Sequence, residues 1–311
     1  MGTRLPFMVT GYNAKDFARN AKKIMIDIDI KEIQNTNIKL NKKICCDAKY
    51  FLKTLLKFLP KKYKPSKNWL TYCVNVRKKY PIVLKEFKLQ KKYINSYDFI
   101  ETLSSVLKEN DIIVTDMGLS FVGTHQAFKV KKGQKLYTNS GHAPMGWGLP
   151  AAIGSYFSNK SKNIICLTGE GGLMMNIQEL ATIMHHKIPM KIFIYNNAGY
   201  QTIKETQIFS FQGRLMGCNE SSGVSFPNFE KVADSYSIKY TRISNNKEVE
   251  LYLNEILKVE KPQIIEIMID PDQQHIPRAV NRKSKDGKSI AGKYEDLYPF
   301  LSNDEIKENL I

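Results

Sequence analysis

Two short stretches of this 311-residue chain bring together residue types that can do chemistry. One is Gly169-Glu170-Gly171-Gly172, a carboxylate among residues whose backbone amides are open to a ligand. The other is Asn196-Asn197-Ala198-Gly199, which offers an amide oxygen and accessible carbonyls. Glycine-flanked amides near a helix start favour phosphate. Hard oxygen ligands beside a phosphate suit Mg²⁺. The two stretches together have the makings of a clamp that holds a divalent cation against a diphosphate.

Such a clamp needs elements that carry both stretches to one place. Each follows an apolar run of strand length, Ile164–Leu167 before the first and Met190–Tyr195 before the second. Between them, Asn176–His185 has helical spacing of Ile177, Leu180, Ala181 and Met184. Strand, helix, strand is a βαβ unit, and parallel sheets bind ligands at the carboxyl ends of their strands. The alternation extends outward. Tyr97–Leu107 reads as a helix, and Ile112–Thr115 as a strand ending in Asp116-Met117-Gly118. Gly146–Phe157 and Phe229–Tyr236 read as helices, and Ile264–Ile269 as a strand. The fold class is therefore α/β, with a mostly parallel, doubly wound sheet. Nearer the start, Lys23–Asp29 reads as a buried strand with an acidic end, and Asp47–Leu59 as a helix broken by Pro60–Pro65. Pro60–Tyr93 is polar and basic, with a helix around Trp69–Lys79. The tail from Gln273 is polar and shows no clear strand.

These motifs resemble those of thiamine diphosphate (ThDP) enzymes of the acetolactate synthase type. That family carries Gly-Asp-Gly followed, after somewhat under thirty residues, by Asn-Asn, and the separation of Glu170 from Asn197 matches it. The resemblance implies Mg²⁺ ligation by Glu170, the Asn197 side chain and the Gly199 carbonyl. It also implies a diphosphate site at Gly169, Gly171 and Gly172. Glu170 departs from the family's usual Asp, keeping the charge and adding a methylene. Ser140–Gly154 resembles the segment that holds the aminopyrimidine ring. There the Ala143 carbonyl would receive the exocyclic amine. Met145 would wedge between the two rings and bend the cofactor, bringing that amine to the reactive thiazolium carbon. Asp116-Met117-Gly118 resembles the loop that opens this domain, and Gly2-Thr3-Arg4 with Ile26–Asp29 resembles half of the family's central domain. Pro277-Arg278 and Glu295–Leu301 resemble a subgroup associated with keto-acid decarboxylation and acyl transfer. The expected organisation is a partial, Rossmann-like central domain (1–60), a linker with a helix (61–95), a ThDP diphosphate-binding domain (96–272) and a C-terminal tail (273–311).

By the same resemblance the expected function is a ThDP- and Mg²⁺-dependent carboligase or decarboxylase acting on a 2-keto acid, with pyruvate first among donors. Acetolactate synthases proper carry a Trp soon after the Asn pair, and Gly199–Gln207 has none, which argues against acetolactate formation itself. The family's activating Glu lies in a separate pyrimidine-binding domain with no counterpart in this sequence. No catalytic residue is therefore assigned within the chain, which reads as a truncated product or half of a split enzyme. The alternative is a catalytically silent fragment or assembly subunit. A partner chain or homo-oligomer supplying the missing domain is expected, covering an apolar face around Met145, Met174 and Met175. His142, His125 and Gln126 are candidate substrate contacts. FAD is not expected.

Composition narrows the field. The formal charge is +17, but the lysines are scattered and no aromatic-plus-basic recognition motif accompanies them, so nucleic acid is not an expected partner. No apolar run reaches the roughly 18 residues of a membrane helix, and no membrane association is expected. The first residues lack a secretory pattern, and five cysteines without a metal or disulfide spacing suit reduced thiols, so the cytoplasm is the expected location. A dinucleotide-binding Rossmann protein would show Gly-x-Gly-x-x-Gly after its first strand, and none is present.

Overall fold

The computed structural model describes residues 1–11, 13–60, 64–159, 163–283, 286, 289–290, 292 and 295–310. Its contacts divide the chain into two compact units, one of residues 1–80 with 276–311, the other of residues 81–275.

The first unit holds α1 (Phe7–Thr10), β1 (Ile24–Asp27), α2 (Ile30–Gln34), β2 (Lys42–Cys45), α3 (Ala48–Phe58) and α4 (Lys67–Lys79). β1 and β2 form a two-stranded parallel sheet. Side chains that prefer caps start the helices: Asp29 accepts from Lys31 N at 2.8 Å, Asp47 from Lys49 N at 2.8 Å, and Ser66 from Trp69 N at 3.3 Å. The helices expected at Asp47–Leu59 and Trp69–Lys79 are thus present, while residues 61–63 of the Pro60–Pro65 breaker lie outside the described residues. Neither α3 nor α4 buries a residue, and Leu56 and Phe58 are exposed. In the tail, Arg282–Lys283 pairs antiparallel with Ser289–Ile290, a short ladder that the polar sequence did not announce. A helix at Asn303–Asn309 is capped by Ser302.

The second unit runs through α5 (Lys85–Lys88), α6 (Ser96–Val106), β3 (Ile112–Thr115), α7 (Leu119–Ala127), β4 (Lys135–Tyr137), α8 (Gly148–Ser158), β5 (Ile164–Gly169), α9 (Glu170–Met175), α10 (Glu179–His185), β6 (Lys191–Asn196), α11 (Gln201–Ser210), α12 (Phe229–Ser235), β7 (Lys239–Ile243), α13 (Asn246–Ile256) and β8 (Gln263–Met268). Its six strands lie in the order β4-β3-β5-β6-β8-β7, and every pairing is parallel. Alternate residues of the central strands face two separate cores. Ile113, Ile165, Leu167, Phe193 and Ile265 meet α6, α7 and α13 on one side. Ile112, Cys166, Ile192, Ile194 and Ile264 meet α8, α10 and α12 on the other. This is the expected doubly wound α/β architecture. Each fully buried Ile or Phe of these layers contributes about 1.5–3 kcal/mol of transfer free energy.

The chain leaves β3 towards β4 on one side and returns to β5 on the other, so the winding reverses between β3 and β5. At such a reversal the loops beyond the carboxyl ends part and leave a crevice. The expected helix Asn176–His185 differs in detail. It starts later, as α10 at Glu179; the separate helix α9 ends at Met175, and Asn176 leaves helical geometry and donates its side-chain N–H to Gly146 O at 2.6 Å.

Candidate active site

β5 and β6 are neighbours in register, with Gly169 beside Tyr195, so the loops that follow them emerge side by side. Glu170, the first residue of α9, is only 1% exposed. Its Oε1 accepts the Asn197 backbone N–H at 3.0 Å, and the N–H groups of Ala198 and Gly199 also favour its charged form. Burial outweighs them and pushes the carboxyl up to about 8. Ala198 takes a positive φ of 56°, which helps turn this run of amides inward.

The two asparagines do different work. Asn196 shapes the loop: its Nδ2 donates to Glu266 Oε1 at 2.6 Å, and its Oδ1 accepts Ala198 N–H at 3.2 Å. Asn197 faces the carboxylate. Its amide nitrogen donates to Glu170 Oε2 at 3.0 Å and to Gly199 O at 3.3 Å. Rotated by half a turn, the same amide would offer its oxygen beside the Glu170 carboxylate and the Gly199 carbonyl. The donor set is all hard oxygen and fits Mg²⁺. Among the described residues no group of three His, Cys, Asp or Glu side chains offers a competing metal site.

The glycines around this cluster are required by close approach. A Cβ on Gly171 would lie 2.1 Å from the Tyr200 ring, and one on Gly172 would lie 2.3 Å from Asp116 Oδ2. One on Gly199 would lie 2.3 Å from Cys218 O.

The third wall is the loop before α8. Ala143 is exposed with φ 50°, a left-handed conformation costing an Ala roughly 1–2 kcal/mol. Met145 is half-buried, and Gly146 (φ 82°) leaves no room for a Cβ, which would meet Met175 Cβ at 2.7 Å. Buried Asp116 at the end of β3 accepts Gly146 N–H at 3.0 and 3.1 Å. Desolvation raises its pKa above the ordinary Asp value.

Glu170, Asn197, Gly199, Gly169, Gly171 and Gly172 are thus brought to one rim, and Ala143 and Met145 are tied to it through Gly146. His142 is exposed beside Ala143. His125 and Gln126 sit lower on α7, about 10 Å along the helix from Gly118 at 1.5 Å per residue. His125 Nδ1 lies 2.9 Å from Phe121 O, and Gln126 accepts Tyr97 O–H at 2.8 Å. Sequence reasoning missed Asn176, Thr168, whose hydroxyl donates to Asp116 Oδ2 at 3.0 Å, and Gln201, whose Nε2 donates to Gln273 O at 2.8 Å. Their contacts join segments far apart in the chain and leave no periodic trace.

An acid and an amide at adjacent parallel strand ends, next to a strand-order reversal, are the arrangement of a cofactor-binding α/β domain. Residues 116–267 match the family model described as thiamine pyrophosphate enzyme, C-terminal TPP binding domain. The probable acetolactate synthase large subunit of Methanocaldococcus jannaschii is 35% identical over 281 residues, 87% of this chain and 46% of the relative. The acetolactate synthase large subunit of Cyanidium caldarium is 30% identical over 289 residues, 91% of this chain and 48% of the relative. The Escherichia coli K12 acetolactate synthase isozyme 1 large subunit is 26% identical over 277 residues, 89% of this chain and 48% of the relative. The chain belongs to the thiamine diphosphate-dependent enzyme family, in its acetolactate synthase-like branch. It spans about half the length of the curated relatives it matches.

Proposed function

We propose that this chain binds ThDP with Mg²⁺ and serves a carboligase or decarboxylase acting on a 2-keto acid. Glu170, the Asn197 side chain and the Gly199 carbonyl hold the cation. Gly169, Gly171 and Gly172 line the diphosphate, and Ala143 and Met145 orient the aminopyrimidine. When bound, ThDP supplies a nucleophilic carbon and an electron sink for decarboxylation. The chain's own residues fix where the cofactor's phosphates and rings lie and keep water from the cation. The observation that carries the reading is the close approach of the Glu170 carboxylate, the Asn197 side-chain amide and the Gly199 carbonyl at two adjacent strand ends.

The activating Glu and the second wall of the site come from a partner that carries the pyrimidine-binding domain. Met174 and Met175, exposed beside the Gly146 loop, support a covered face there. Among the described residues no helix is long and apolar enough to cross a membrane. A cytoplasmic site of action suits the five free thiols.

Calorimetric titration with ThDP and Mg²⁺ tests the reading. The parent chain should bind, and Glu170→Ala should lose at least about 100-fold in affinity, beyond what loss of an outer-shell partner costs. Equal binding by both would refute the clamp.

A further inference from the structure

Asp116 is 1% exposed, and among the described residues no cationic side chain pairs with it. Its charge is met by donors from three separate segments. Oδ1 accepts Met117 N–H at 2.8 Å and Gly146 N–H at 3.0 Å. Oδ2 accepts Gly146 N–H at 3.1 Å and Thr168 O–H at 3.0 Å. Its backbone N–H donates to Leu167 O at 2.7 Å. The packing leaves no slack: a Cβ on Gly148 would lie 2.8 Å from Asp116 Cβ, and one on Gly172 would lie 2.3 Å from Oδ2.

Gly146 directly follows Met145, and Thr168 stands two residues before Glu170. One carboxylate therefore fixes the loop proposed to hold the aminopyrimidine against the strand end proposed to hold the cation. Removing the carboxylate frees the Gly146 amide without touching Glu170, Asn197 or Gly199. We propose that Asp116 is a positioning residue that couples the Met145 loop to the Glu170 clamp, so that the ring and diphosphate ends of ThDP are bound as one unit. This rests on the ThDP reading above.

The test compares two probes, ThDP and inorganic pyrophosphate, each with Mg²⁺, on the full chain by calorimetry. Pyrophosphate reads the clamp alone, and ThDP reads clamp plus loop. Asp116→Ala should weaken ThDP about 10- to 100-fold, as loss of an orienting partner does, and leave pyrophosphate within about 3-fold. Asp116→Asn, which keeps an oxygen for Gly146 N–H, should restore most of the ThDP affinity. Should Asp116→Ala not fold, Thr168→Val serves, with an expected ThDP-selective loss of about 5-fold for one hydrogen bond. Equal losses for both probes, or none for ThDP, would overturn the coupling while leaving the ThDP reading intact. A parent chain that binds neither probe would overturn both.

Discussion

Glu170 meets the backbone amides of Asn197, Ala198 and Gly199, and burial raises its carboxyl to about 8. Between its ordinary 4.5 and about 8, the folded chain binds more protons than the unfolded chain. The cation-free fold therefore loses stability as pH rises through that window. Thermal melts across it should show the decline in the parent and a flatter profile in Glu170→Gln. Mg²⁺ must displace the same proton, so affinity for Mg²⁺-ThDP should climb with pH up to about 8. Gly172→Ala belongs to this scale too. Its Cβ would enter 2.3 Å from Asp116 Oδ2 and 2.8 Å from Thr168 Oγ1, both buried. Overpacking of this kind should cost about 1–3 kcal/mol in urea denaturation.

The elements that carry the site were the legible part of the sequence. β3, β5, β6 and β8 are buried on both faces and read as mainly apolar runs, β8 interrupted by Glu266 and β6 opening on Lys191. Edge strands β4 and β7, lying half in solvent, carry Lys135, Lys239 and Arg242 and gave no such run. α11 escaped notice because its buried face is polar: Gln201 Nε2 donates to Gln273 O at 2.8 Å, and Glu205 accepts from the His275 backbone at 2.8 Å and lies 2.9 Å from its Nδ1. α7 is apolar or small nearly all round and shows no stripe. At the site, Glu170 and Asn197 were visible as motifs at strand ends. The ties from Asp116 to Gly146 and Thr168 depend on tertiary approach that no local pattern encodes. The central strands carry the stability. Phe193 is fully buried and packs against Phe99 with ring centroids 5.5 Å apart, so Phe193→Ala should cost about 3–5 kcal/mol in chemical denaturation.

Across the whole molecule the two units differ in how much they bury. Residues 81–275 enclose two cores around six strands, whereas in the other unit α3 and α4 bury no residue and the two-stranded sheet buries only Met25 and Ile26. Stability follows buried contacts, so hydrogen exchange should be slow in β5, β6 and β8 and faster by orders of magnitude in β1, β2, α3 and α4. The +17 charge adds a long-range attraction for anions, screened over about 10 Å at 0.1 M salt. The central claim remains local. A crystal structure of the chain with ThDP and Mg²⁺ should show the cation about 2.1 Å from Glu170 Oε2, Asn197 Oδ1 and Gly199 O, with diphosphate oxygens completing its shell. A cation seated elsewhere, or diphosphate bound away from the Glu170 and Asn197 loops, would contradict the account.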